Sequence, residues 1–481
     1  HPAGSTLIGS GSGGQISTGD SNTIVGSTAG STITSGGGNT IMGQFAGGFS
    51  GASLTGNYNT VIGYTAGTNL GGAANGNVMV GRNAGQTATT SSGSIFIGEE
   101  AGADCTTGNQ NIAIGQDAMA EGTTTGDGNI SIGTLAGYQL TSGFMNVFIG
   151  NQAGENTNTA HNNTAVGERA LHLNQTGNSN TAMGRSALEN TTTATLNVAL
   201  GGETMGGITS GIAIQDCVAV GYAAFKGSSS TTTGANGTVA IGRRTLFSLT
   251  SGERNTAIGY QALDAEDAGS NNTAVGYEAL TAQNNDDGAN TAVGMRAGLA
   301  VSTGYSNTLL GSGAGATLQG GYKNTYVGRD ADGSNGRINS TAVGFQTTAQ
   351  ADNSVTLGNA DVTDVYMAQD AGAKVRCSAI VHTQENVTIS SGAITVTTSY
   401  VRVLTEGSAS SDDLDTINGG VAGQVLYLHQ QFSTKDVTLK DGTGNLRLAG
   451  DFAMSHALDM IHLIYSEADS VWIEVSRSNN N

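Results

Sequence analysis

One short phrase recurs from end to end of this chain. Asn-Thr-Ala-Val-Gly and its variants place a glycine at 21 positions, from Gly9 to Gly358, mostly 17 or 18 residues apart. A fixed period of this size, held over some three quarters of the sequence, means stacked structural units rather than a globular enzyme core. Such an array reads as a rod, a shape suited to reach, spacing and presentation.

The columns of the repeat carry the physics. The residue before each glycine is aliphatic, as in Ile8, Val25, Met42 and Val275. Three before it is β-branched, as in Thr23, Val78, Ile112 and Thr273. Successive strand residues point to opposite faces, so these two columns share a face, and β-branched side chains suit a pleated surface. The pattern predicts a strand of four to five residues with its aliphatic face turned inward. Four before the glycine stands Asn in most copies, Asn22, Asn39 and Asn272 among them, replaced elsewhere by Ser, Thr or Cys. In-register stacking turns that column into a ladder of amides.

Three after the glycine is Ala almost throughout, as in Ala29 and Ala279. The next residue is Gly in the first copies (Gly30, Gly47, Gly67) and larger in the middle (Leu171, Leu188, Phe225, Leu280). That swap predicts a wider or differently packed stretch between about 165 and 285. One coil thus offers only two or three modest apolar side chains to its interior. At roughly 25 cal/mol per Å² this is thin against the entropy of ordering each coil. Sharing a core between chains is the natural remedy, and three chains about one axis the expected arrangement.

Composition narrows the function classes. With 76 Gly but a single Pro, collagen is excluded. Charged residues make up only 11%, as a stacked array requires, because a column of like charges at ~4.8 Å repels itself. The net charge of −19 argues against nucleic acid or an anionic membrane as partner, and no apolar run of membrane-spanning length is present. The chain opens on His1 rather than Met, which reads as a processed form or a fragment. Cys105, Cys217 and Cys377 are far apart, with no C-x-x-C pair, and read as free thiols, Cys217 as a small residue in the Asn column.

After Gly358 the phrase stops. The expected organisation is a β-solenoid shaft over 1–358, a neck over 359–376 and a C-terminal β-domain over 377–481. In the last part, runs such as YVRVL, QVLYLHQ, MIHLIY and VWIEV alternate as strands between turn clusters, which predicts a compact sandwich or jelly roll with Trp472 in its core. The fold class is therefore all-β throughout.

Few residues invite chemistry. Asp330, Asp332 and Asn335 space oxygen ligands around Gly333 like the first half of a calcium loop, without the closing bidentate Glu; the plainer reading is a polar turn, and no other cofactor is expected. Glu99, Glu100, Asp117, Glu168, Glu203 and Glu278 follow the glycine column, where strands exit and side chains are solvated. A polysaccharide depolymerase would need two of them across a groove, and solvated surface charge is the plainer reading. Tyr64, Tyr222, Tyr260, Tyr277 and Phe345 occupy the same position and could stack on sugars. The Thr column would suit an ice-binding face, but it is interrupted and assigned inward.

The segments NTAVGYEAL (272–280), NTAIGYQAL (255–263) and NTAVGERAL (163–171) resemble the head repeats of trimeric autotransporter adhesins, which read N-S-V-A-I-G. Asn271-Asn272-Thr273-Ala274-Val275-Gly276 matches that hexad with Thr at the first Val. With SVTLGNADVTDVYMAQDAGA (354–373) and the C-terminal tail, the whole chain resembles long tail fibres of marine phages. The resemblance implies a non-enzymatic, extracellular homotrimeric β-roll fibre that meets other virion or fibre proteins and a host-surface glycan or protein. A secreted bacterial trimeric adhesin or extracellular filament is the alternative within that class, and a depolymerase tailspike the alternative outside it.

Overall fold

A computed structural model describes residues 3–48, 53–227, 235–284, 288–366, 377 and 379–480. The chain divides into two compact units, His1–Val365 and Tyr366–Asn481. The first runs a few residues past the expected shaft, and most of the expected neck (367–376) lies outside the described residues.

The first unit is a parallel β-solenoid. Each copy of the phrase forms a strand of three residues, from Thr6–Ile8 to Val355–Leu357, shorter than the periodicity suggests. Each strand pairs in parallel with the next copy in strict register: Thr256 on Thr273, Ala257 on Ala274, Ile258 on Val275, and on to Thr291, Ala292 and Val293. Register holds across the longer loops too, as between Val198 and Val218.

The glycine column is dictated twice over. Gly26 has φ +143° and Gly276 φ +145°, conformations that L side chains rarely adopt. A Cβ on Gly26 would also stand 2.5 Å from the carbonyl oxygen of Gly43, one coil on. Strand exits therefore stack backbone on backbone, and only glycine fits.

The Asn column is a ladder, as the sequence predicts. Asn146 is fully buried. Its Nδ2 donates to Asn129 Oδ1 (3.0 Å) and to the Ala160 carbonyl (2.8 Å). Its Oδ1 accepts from the Asn163 backbone N–H (3.0 Å) and from Asn163 Nδ2 (3.2 Å). All four bonding positions of the amide are thus used, which is what burial of so polar a group requires. Cys217 sits in the same column as read from sequence: its N–H donates to Asn197 Oδ1 and its thiol to the Ala235 carbonyl.

The facing of the strands is the reverse of the expected one. In Thr273–Val275 the central Ala274 is buried, while Thr273 and Val275 are only half-buried. The same pattern recurs along the array, with Ile24, Ile41, Met79, Phe96, Phe148 and Ala165 inside. The cause is strand length. A three-residue strand with its centre pointing in must send both flanks out, so the aliphatic and β-branched columns face away from the coil's own interior. The Thr column, assigned inward from sequence, lies on that outer face.

Bulk inside each coil is exchanged between two positions. Where the strand centre is large (Ile24, Ile41, Phe96, Phe148), the residue four after the glycine is Gly30, Gly47, Gly102 or Gly154. Where the centre is Ala165, Ala182, Ala257 or Ala274, that residue is Leu171, Leu188, Leu263 or Leu280, all buried. The swap noted in the sequence thus changes which element fills the core.

The second unit holds a six-stranded sheet with two smaller ones around a single core that includes Val401, Leu426, Ile461 and Trp472. Trp472 is buried, as expected, and its Nε1 donates to the Ile417 carbonyl at 3.0 Å. Gln384–Thr388, Tyr400–Leu404 and Val425–Gln430 pair in parallel, and the antiparallel strands Met460–Ser466 and Val471–Ser478 follow. Parallel pairing thus recurs within this unit, where a jelly roll would be antiparallel throughout.

Candidate functional site: the outer sheet face and its rim

The outward columns of the solenoid make one continuous surface. Met183 is 45% exposed and Val293 39%, and Met42, Ile97, Ile149, Ile241, Leu310 and Val343 stand in the same column. With strands ~4.8 Å apart and each about 10 Å long, the face covers roughly 1,000 Å². Its outer rows are β-branched or aliphatic. The aliphatic row is a continuous half-exposed apolar stripe beside a row that is Thr in most copies, and a contiguous apolar stripe on a surface marks an interaction site.

A rim of aromatic and charged side chains borders this face just after the glycine column. Tyr260 and Tyr277 stack with centroids 5.3 Å apart. The Arg296 guanidinium lies 5.8 Å from the Tyr277 ring and 2.8 Å from a Glu278 oxygen. Arg329 covers Phe345 at 4.6 Å. These pairs join neighbouring coils, so the rim is cross-linked between repeats.

The carboxylates of the rim are mostly paired. Arg82 bridges to Glu99, and Glu203 takes both Arg185 (2.8 Å) and Lys226 (2.9 Å). The Lys226 hydrogen bond holds the Glu203 carboxyl below its ordinary range. Asp117 differs: burial first, then the charge of Glu100, raises it. Exposed ion pairs of this kind contribute little stability each.

Asp332 and Asn335 act as links between coils, whereas the Asp330 side chain pairs within its own coil. Asp332 Oδ2 accepts from the Thr317 N–H (3.0 Å) and its Oδ1 from the Gly333 N–H (2.8 Å). Asn335 Oδ1 accepts from the Gly320 N–H at 3.2 Å, and Asp330 pairs with Arg329. Among the described residues, no group of three or more His, Cys, Asp or Glu side chains is placed to hold a metal ion. Asn272 and Ala279 are buried, and Gly276 closes the strand.

Asn272 has a partner that the sequence did not flag. Glu266 is fully buried at a coil corner, its Oε1 accepting from the Gly269 N–H (2.6 Å) and its Oε2 from Asn272 Nδ2 (3.3 Å). Burial raises its pKa. One coil on, Gln283 holds the equivalent place and accepts from Asn290 Nδ2 at 3.0 Å.

Cys105 and Cys217 are buried free thiols and Cys377 is exposed. Burial pushes Cys105 up to about 12 and Cys217 to about 11, which leaves both unreactive near neutral pH.

The fold places the chain among β-solenoid repeat proteins. Comparison with protein families and with curated proteins finds no match.

Proposed function

We propose that this chain is the subunit of an extracellular adhesive fibre, a homotrimer whose solenoids meet through their outer sheet faces. The observation that carries the reading is the uncovered aliphatic column running the length of the solenoid. Three such faces turned toward one axis would bury a second core, additional to the slim one inside each coil. With 20 intervals of ~4.8 Å the shaft is about 100 Å long, and its repeated rim supplies many identical weak contacts, which give avidity without a tight single site. The likeness to phage tail fibres and trimeric adhesins points to host-surface recognition, or to the spacing that permits it, with no catalytic role. The test is incubation with intact host cells and their purified surface polysaccharide. Retention on cells with the polymer left at full length supports adhesion. Steady shortening, lost in Asp117→Asn, would move the reading to a depolymerase.

A second reading is favoured by one observation: the Thr column faces outward. Thr256, Thr273, Thr291, Thr308, Thr325 and Thr341 are consecutive in register, a regular row of hydroxyls of the kind that an ice-binding face uses. Both readings need the same face, so a solution monomer that slows ice growth would replace the fibre.

A further inference from the structure

The six-stranded sheet of the second unit has a second face that its own core does not use. Val401, Val403, Leu426, Leu428, Ile461 and Leu463 point into the core. The alternate residues form two rows across the sheet. Tyr400 is in register with Tyr427, and Tyr427 with His462; beside them Arg402 is in register with His429, and His429 with Met460. The rings are already organised. Tyr427 and His462 stack at 4.7 Å with 19° between planes, Tyr400 and His429 at 5.1 Å, and the His382 ring lies 5.6 Å from Tyr427.

Several polar atoms of this face lack partners. Arg402 Nε, His429 Nε2 and His462 Nε2 are shielded from solvent without a hydrogen bond, so the unit's own packing leaves polar atoms beneath this face unsatisfied. The ion pairs of this unit join Lys440 to Asp451 and Arg477 to Glu474, and none among the described residues reaches Arg402. Burial, then the Arg402 charge, holds His429 below its ordinary pKa. The two rows contain no carboxylate, although the chain carries a net charge of −19. Flat rings beside an unpaired guanidinium, with acids kept away, match a ligand that offers both pyranose faces and carboxylates.

We propose that this face binds an acidic polysaccharide, with a sugar carboxylate on Arg402 and sugar rings against Tyr400 and the Tyr427–His462 pair. The proposal rests on the adhesive reading and names its ligand class. The test uses the full chain with polygalacturonate, alginate and hyaluronate, in the presence of a chelator, and methyl-esterified polygalacturonate as the uncharged control. The wild-type chain should be retarded by at least one polyuronate, less so at high salt, and not by the ester. Arg402→Ala and Tyr427→Ala should each weaken retention at least ten-fold, while Tyr427→Phe, which keeps the ring and guards against misfolding, should retain it. Absence of retention on all three polymers overturns the site, and so does retention unchanged in Arg402→Ala. Dissociation of the assembly in these variants, with polymer binding intact, would make the face a contact between copies and equally overturn it. A wild-type chain that adheres to cells but fails on the polymers sinks this site alone. Arg402-dependent polymer binding without adhesion to any cell leaves the site and removes the adhesive reading.

Discussion

Gly154 lies directly against Phe148: a Cβ at Gly154 would stand 2.6 Å from the phenyl Cδ1. One coil later the same two positions are Ala165 and Leu171, both buried. The strand centre and the turn share one volume, and most coils fill it from one side or the other; where both are small, as at Ala292 and Gly298, the neighbouring coils' Leu280 and Leu309 reach in. Filling it from the turn has a backbone consequence. Leu171 holds φ +52°, the left-handed region that Gly154 adopts freely at φ +60°.

Phe148→Ala should therefore leave a void and cost about 3–5 kcal/mol. Gly154→Leu should overpack and cost about 1–3 kcal/mol or more. The double variant copies the next coil and should recover much of both losses. Thermal melts of the four proteins give the coupling; simple additivity would mean that the two positions do not share a volume.

The amide ladder makes a second expectation. Asn163→Ala removes a rung whose neighbours, Asn146 and Asn180, are buried with it. Orphaned buried amides cost about 1–3 kcal/mol. Asn163→Ser should cost less, since Ser94 serves as a natural rung, donating its N–H to Asn77 Oδ1 and accepting from the Asn111 N–H. Hydrogen exchange at the Thr164 and Thr181 amides would report the loosening; equal protection in both variants would remove the ladder's structural role.

Glu266 sets a pH dependence with a definite sign. Its folded pKa is raised by burial, so its favourable contribution is present at low pH. That contribution is lost as pH rises from the ordinary Glu value through the raised one. Glu266→Gln, the residue type that Gln283 already places one coil on, lacks this dependence. The variant should gain in melting temperature relative to wild type as pH is raised from 4 toward 8. A difference that does not change with pH would contradict the assignment.

The facing of the strand separates folding from assembly. Ala274→Asp puts a carboxylate inside the coil and should unfold its neighbours. Val275→Asp puts one on the outer face, and should leave the coil's β-structure in place while blocking association of chains. Tyr277→Asp, on the exposed rim, should leave both intact. Circular dichroism with sedimentation distinguishes the three, and identical behaviour of the two strand variants would return Val275 to the interior.

The repeat, the glycine column and the Asn ladder were legible because each is a column, and stacked coils turn columns into contacts. The facing was misread because aliphatic Val275 looks more like core than Ala274 does. Inside so slim a coil, the smaller residue is the one that fits when Leu280 fills the remaining space. The signal was nonetheless present: Ala at the strand centre tends to accompany Leu six residues later, and Phe or Ile to accompany Gly. Glu266 gave no signal because its partners are backbone amides and a side chain that only the corner brings together. In the second unit alternation found most strands, including Tyr400–Leu404 and Val425–Gln430, but Ser411–Leu414 was hidden in a stretch that reads as a turn.

The molar mass of the soluble chain, measured by light scattering over a range of concentrations, tests the central claim most directly. If the outer sheet faces are buried against one another, the mass should be three times 48.1 kDa and should hold on dilution. A monodisperse species of 48.1 kDa that keeps its β-sheet signal would show that the face stands uncovered in solution, and would contradict the fibre.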